Sequence, residues 1–368
     1  MGRLQKNKSI CLILCLVKRA SKNKYILCIG YNKKLGGMKV NPSSAKRIFY
    51  FDNAKFILIF LVVLGHVISP LKENDTMLLS LYSAIFLFHM PAFIFISGYF
   101  SKGYNKKGYL LKITKKILLP YFIFQIIYSI FYYWNGQSAN LHFNLFQPHW
   151  TLWFLLSLFC WNLLLYLFAK LKWTGLVIAI ILGITIGYLD QIGSFLSLSR
   201  TFVFFPYFLL GYLLEAKHLT FIKKIKHSSL IGTAVLLITM LLFGLFFPKD
   251  AMDWLLGDTS YASMGTLEAI DGLKRLVQYG LTAIVILGFM AIVPSKGFTF
   301  TVIGRRTLYI YLLHGFIIKT MQTFISDDAL ITISNQYLIL ISFSFGLCIL
   351  LGSYFIKKYT RPLIELTI

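Results

Sequence analysis

Ten stretches of mostly apolar residues, separated by shorter polar connections, restrict this chain to a bundle of helices that cross a membrane. They lie at about 54–70, 77–100, 115–134, 150–169, 174–190, 201–215, 228–247, 277–294, 307–323 and 336–356. A helix needs about 20 apolar residues to cross the hydrocarbon, and these runs are of that order. The expected fold is therefore all-α, a polytopic membrane helical bundle. Composition agrees: 57% of the residues are hydrophobic, 17% aromatic and only 14% charged, far from a soluble domain of this size.

The formal charge of +24 invites a nucleic-acid reading, but the basic residues fall between apolar runs and not on a soluble domain. They read as topology signals. Residues 1–50 carry twelve Lys and Arg with no acid, and clusters follow at Lys102–Lys116, Lys170–Lys172, Lys217–Lys226, Lys296–Arg306 and Lys357–Arg361. The alternate loops hold few cations, so the positive-inside rule puts both termini in the cytoplasm and fits ten crossings.

Three regions follow from this pattern: a basic leader over 1–46, a membrane domain over 47–358 and a short cytoplasmic tail over 359–368. The outer loops 135–149 and 248–276 are the longer ones, and a loop as long as the second either covers a site or serves as a connector. Cys11, Cys15, Cys28, Cys160 and Cys348 form neither a disulfide framework nor a zinc pattern. The apolar piece Cys11–Val17 is too short to span and has no small-residue exit site, so the natural start is expected at Met38.

Inside the first span stand Lys55 and His66, eleven residues apart. Eleven helical steps bring the second side chain to within about 20° of the first, roughly 16 Å along the axis. A cation at the membrane edge and an imidazole deep in the span are costly in lipid and mark a protein-walled cavity, hence a functional site. His89 and His314 fall near the middle of their own spans, so three imidazoles can meet on one cavity. A metal site is the sharp alternative, but the spans supply no matching carboxylate or thiolate, and none is expected.

Other residues carry ordinary structural readings. Asp52 and Asn53 precede the first span as a natural N-cap. Ser97 and Gly98 suit close helix approach, and Ser97 lacks the surroundings of a nucleophile. Trp150 and Trp153 suit an interfacial belt, although Trp150 also suits stacking on a sugar ring. Lys115, Lys116, Arg305 and Arg306 read as topology determinants and headgroup partners.

Several segments together carry a resemblance. Arg47 through Asp52-Asn53-Ala54-Lys55 leads into Leu64-Gly65-His66, and His89-Met90-Pro91 leads to Ser97-Gly98-Tyr99. Lys115-Lys116 leads to Pro120-Tyr121, and Trp150-Thr151-Leu152-Trp153-Phe154 follows. Pro206 to Gly211-Tyr212 and Gly304-Arg305-Arg306-Thr307 to His314 complete the series. Over about residues 47–356 the chain resembles the acyltransferase 3 family of integral membrane proteins, most closely its stand-alone sugar O-acetylases of the fucose 4-O-acetylase type. The resemblance implies a stand-alone member, without the hydrolase-like domain that longer members append.

The resemblance implies transfer of an acyl group, usually acetyl, from cytoplasmic acetyl-CoA to a hydroxyl of a cell-surface carbohydrate or its precursor. Such a reaction needs a base, oxyanion donors and cations for the nucleotide phosphates. His66 is the expected base, because imidazole titrates near neutral pH. Lys55, with Lys115, Lys116, Arg305 and Arg306, is expected to bind acyl-CoA, while His89, His314 and Trp150 are expected to serve the acceptor or the oxyanion. The expected partners are acyl-CoA, a carbohydrate acceptor, the bilayer of the cell membrane and other proteins of polysaccharide synthesis, without nucleic acid. A polysaccharide exporter or flippase, or a non-catalytic partner in such a pathway, would share the ten spans and the buried polar groups.

Sequencing the N-terminus of the mature protein tests the expected start. A first residue of Met38 is the expected outcome, and recovery of residues 1–37 would remove it.

Overall fold

The structure, a computed structural model, describes residues 42–73, 75–190 and 195–366. The expected start at Met38 and nearly all of the leader lie outside the described residues. Every regular element described is helical. The polytopic helical bundle expected from the apolar runs is what the chain forms, and Lys46–Ile368 gathers into one unit.

The first helix, α1, covers Pro42–Ile68, and α2 covers Thr76–Phe100 behind an Asp75 cap that accepts from Leu78 N at 2.8 Å. A π-helical turn at Thr114–Leu118 leads into α3, Leu119–Trp134. Next come α4 (Trp153–Thr185), α5 (Leu198–Leu213), the short α6 (Ala216–Lys224), α7 (Ser228–Phe246) and α8 (Ala269–Ile292). The chain closes with α9 (Thr307–Phe324), α10 (Asp327–Ser334), α11 (Tyr337–Leu351) and α12 (Tyr354–Ile364). Leu230, Leu237, Leu241 and Leu245 stand exposed along α7, as a lipid-facing helix requires.

Seven described helices are long and apolar enough to cross a membrane, or eight if α11 and α12, bent by 62°, count as one broken span. The expected count of ten differs for local reasons. The runs 150–169 and 174–190 are counted among the seven as the single stretch Trp150–Tyr188, although the helix breaks between them at Lys172, where φ is 53° and ψ −127°. There the chain doubles back so sharply that a Cβ on Gly175 would sit 2.9 Å from the carbonyl oxygen of Phe168. The run 307–323 is helical but carries His314, Lys319 and Gln322, which lower its hydropathy.

Helix α1 begins at Pro42, with proline at a position where its missing N–H costs nothing. Asp52 and Asn53 are therefore not an N-cap as expected: they sit well inside α1. Backbone carbonyls and side chains, most of them from distant segments, satisfy them there and remove any need for a capping role. The Asn53 amide donates to the carbonyls of Pro294 and Lys296, both at 2.8 Å, and its oxygen accepts from Thr301 Oγ1 at 2.6 Å.

Helices α2 and α5 cross at Gly98 and Gly211. A Cβ on Gly98 would fall 1.9 Å from the Phe208 carbonyl oxygen, and one on Gly211 1.9 Å from that of Phe95. The close approach expected at Gly98 is thus reciprocal, backbone against backbone. Without a large hydrophobic drive between helices in lipid, contacts of this kind hold a bundle together. Ser97 donates to Phe93 O at 2.9 Å within its own helix.

Gly98→Ala should lower stability by about 3 kcal/mol or more, because a rigid carbonyl cannot yield to the new methyl. Gly346→Ala on α11, where a Cβ meets nothing within 4 Å, should be close to neutral. Thermal unfolding of both variants in detergent checks the pair, and equal midpoints would contradict the crossing.

Candidate active site

The His66 ring, half-buried near the end of α1, stands among aromatic groups from three other elements. Its centroid is 4.4 Å from Trp150, 5.5 Å from His314 and 6.0 Å from Phe86. Two glycines beside the histidines make the room. A Cβ on Gly65 would meet Phe86 at 2.9 Å, and one on Gly315 would strike the Tyr128 hydroxyl at 2.2 Å and the Trp150 ring at 2.6 Å. Each histidine therefore carries its own clearance for the neighbouring aromatic wall.

The three imidazoles differ in what they have left to offer. His89 and His314 are buried, and each holds a helix carbonyl through Nδ1, Ile85 O at 2.7 Å and Ile310 O at 3.0 Å. A carbonyl only accepts, so both Nδ1 atoms carry protons, and each ring in its neutral form keeps Nε2 as an acceptor. His314 Nε2 is buried without a hydrogen-bond partner among the described residues. His66 makes no side-chain hydrogen bond among the described residues, which leaves both of its ring nitrogens available. His89 approaches through Phe86, 4.8 Å between centroids, and with His314 and Lys319 it lies within electrostatic reach of His66.

Trp150 arrives by an unexpected route. The loop 135–149 runs back alongside α3 and does not stay beyond its end. Tyr121, near the start of α3, donates to Leu145 O at 2.7 Å. Gln125, fully buried, donates to the carbonyls of Asn144 and Gln147 at 2.7 Å each and accepts the His149 N–H at 3.0 Å. His149 Nε2 meets Ser129 Oγ at 2.8 Å, and burial pushes this imidazole below its ordinary value, toward the neutral form. Irregular backbone within a membrane protein needs such partners. The interfacial-belt reading of Trp150 fails, because the returning loop presses its indole against His66 and His314. The backbone there is left-handed, φ 38°, a strained state held by its surroundings. Trp153 is likewise turned inward, 5.6 Å from Phe204 with Arg200 5.0 Å from its ring.

At the other end of α1, Asp52 gathers two cations: Lys55 Nζ at 2.8 Å and Arg305 Nε at 2.8 Å. The carboxylate side chain is 7% exposed, against 26% for Lys55 and 41% for Arg305. One acid between two bases leaves net positive charge at this mouth, and the terminal nitrogens of Arg305 make no hydrogen bond among the described residues. Gly304 permits the junction, since a Cβ there would fall 1.8 Å from Asp52 O.

The remaining expected cations are elsewhere. Arg306 donates to Gly352 O at 2.9 Å and pins the bend between α11 and α12. Lys115 and Lys116 are exposed on the π turn, and no described contact joins them to Asp52. Among the described residues, no group of three or more His, Cys, Asp or Glu side chains is placed to hold a metal ion. The sequence reading missed Gln125, legible as a polar side chain in an apolar span, and Lys319, an ammonium five residues beyond His314 with its Nζ 5.1 Å from the Trp150 ring.

Comparisons with known proteins identify the family. Residues 48–356 match the model of a family described as an acyltransferase domain. The nodulation protein NolL of Sinorhizobium fredii is 32% identical over 178 residues, 44% of this chain and 47% of that protein. NolL of Mesorhizobium japonicum is 50% identical over 56 residues, 14% of this chain and 15% of that protein. The matches thus span about half or less of these relatives' length. No solved structure matches. Since the family match takes in α1 with Lys55 and His66, α9 with His314 and nearly every helix between and after them, the chain belongs to the acyltransferase 3 family of membrane proteins.

Proposed function

We propose that this protein moves an acyl group, acetyl in the first instance, from a coenzyme A thioester to a hydroxyl of a carbohydrate acceptor at the cell membrane. The observation that carries this reading is the isolation of His66. It is a half-buried imidazole with both nitrogens unengaged, in contact with Trp150 and His314, on the helix whose other end bears Asp52 and Lys55, paired there with Arg305.

The basic end of α1 faces the cytoplasm in this reading, as the charged loops require. Lys55 and Arg305 take the anionic part of the donor, and the acyl arm runs along the face that Lys55 shares with His66, roughly 16 Å by helical rise. The acceptor lies against Trp150. His66 removes the hydroxyl proton as the oxygen attacks the thioester carbonyl. The tetrahedral intermediate then collapses with loss of the thiolate, which takes the same proton back from the imidazolium. An ester and a free thiol result.

His314 and His89 suit only part of their expected role. Oxyanion stabilisation needs donors, and in their neutral forms both present Nε2 as an acceptor. His314 Nε2 is suited to receive the hydroxyl of the acceptor or an N–H of His66. Trp150 offers a flat apolar face to a sugar ring. Asp52 orders the two cations and keeps them from occupying other positions before the donor arrives.

Purified protein incubated with labelled acetyl-CoA and candidate glycans should transfer label. His66→Ala should reduce transfer by about a hundredfold to ten-thousandfold, the range for loss of a general base, while Lys249→Ala on an exposed loop leaves it intact. Transfer that survives in His66→Ala overturns the mechanism. Arg305→Ala should raise KM for acetyl-CoA by about tenfold with little change in kcat, as expected for lost uniform binding. An unchanged KM would remove the donor role of this end.

A further inference from the structure

Helices α1 and α9 run in the same direction. Arg305, just ahead of α9, pairs with Asp52 in the first half of α1, while Ile318 and Val67 near the opposite ends line one small cleft. Lys319 therefore sits at the end of the site away from Lys55, beyond the His66–His314 pair. Its surroundings are unusual for a lysine in a span. It is half-buried and forms no ion pair with any carboxylate among the described residues, and its Nζ lies 5.1 Å from the centre of the Trp150 ring. A side chain that merely escaped the lipid would extend its ammonium away from the bundle. Here the charge turns inward, to the same indole that touches His66 at 4.4 Å and His314 at 5.5 Å.

The loop that delivers Trp150, residues 135–149, contains no Asp or Glu. Among the described residues this ammonium faces the Trp150 ring, with His66 within electrostatic reach, and the buried Nε2 of His314 beside the same indole has no hydrogen-bond partner. Uncompensated charge within a membrane is expensive, and an anion from outside the chain would offset it. Because Nζ and the His66 ring both lie within about 5 Å of the centre of one indole, a group held by Lys319 would stand beside His66.

We propose that Lys319 anchors an anionic substituent of the acceptor, a carboxylate or a phosphate on the sugar, and so selects charged over neutral acceptors. The inference rests on the acyl-transfer reading for the word acceptor, but its test does not need turnover. The anionic group stays unreacted, and Lys319 holds it by a charge-assisted hydrogen bond while a neighbouring hydroxyl faces His66.

Equilibrium binding of three probes to the detergent-purified full chain tests this: methyl glucuronoside, glucose 1-phosphate and methyl glucoside. The wild type should bind at least one anionic probe about tenfold or more tightly than the neutral one, the scale of one well-placed charged contact. Tighter binding of the glucuronoside identifies a carboxylate as the natural group, and tighter binding of glucose 1-phosphate identifies a phosphate. Lys319→Met should abolish the preference and leave glucoside binding within about twofold, while Lys319→Arg retains it. Lys319→Gln replaces the Met variant if that one fails to fold.

Equal affinity for all three probes in the wild type, or a preference that survives loss of the ammonium, overturns the proposal. So does a uniform fall in turnover for charged and neutral acceptors alike, which would make Lys319 a partner of the oxyanion. A wild type that shows the preference but never consumes acetyl-CoA counts against acyl transfer and leaves the anion anchor standing. Label transfer without the preference does the reverse.

Discussion

The shared carboxylate of Asp52 is the interaction on which the rest of the site depends. It is nearly buried, and its two oxygens divide between Lys55 on its own helix and Arg305 just ahead of α9. Removing one partner of a buried ion pair is far more damaging than a surface pair would suggest, because the remaining charge is stranded. Beside it, Asn53 ties α1 to the segment 294–301, and Gly304 lets that segment rest against the helix backbone. These contacts set the register of α1 against α9. Register at one end decides which residues face each other at the other, so His66 meets His314 partly because Asp52 meets Arg305.

Much of this was legible in the sequence, for reasons that differ by residue. Helical periodicity alone relates Lys55 to His66, and apolar length alone announces the bundle. The close crossing at Gly98 follows from the way small residues work in lipid. Asp52 was misread because the sequence places it just before an apolar run, whereas the helix starts ten residues earlier and its partner lies about 250 positions away. The belt reading of Trp150 went wrong for a related reason, whereas its expected place beside an acceptor did not depend on it. Its setting depends on a loop that folds back onto Gln125 and on the gap left by Gly315, and no local pattern encodes a return of that kind. The runs on either side of Lys172 are two helices, as expected, but one left-handed residue stands where the sequence suggested a short connecting loop.

The basic residues between helices have a second use that a topology rule does not foresee. Lys223 donates to the carbonyls of Ala291 and Val293 at the end of α8, at 2.6 and 2.5 Å, and Lys102 donates to Leu214 O at the end of α5. Arg306 does the same for Gly352 after α11. The last turns of a helix carry unsatisfied carbonyls and partial negative charge, so cations placed there for orientation also close the helix ends. Orientation and local stability are then not separable by mutation at these positions.

The fixed tautomers of His89 and His314 have a consequence for proton traffic. Each surrenders its Nδ1 hydrogen to a carbonyl of its own helix, so neither ring can relay a proton by picking it up on one side and releasing it from the other without breaking that bond. In the proposed reaction one hydrogen leaves the alcohol and the same one ends on sulfur, with His66 as its sole carrier. The catalytic cycle is then closed with respect to acid and base. It requires no water-filled conduit to either side of the bilayer.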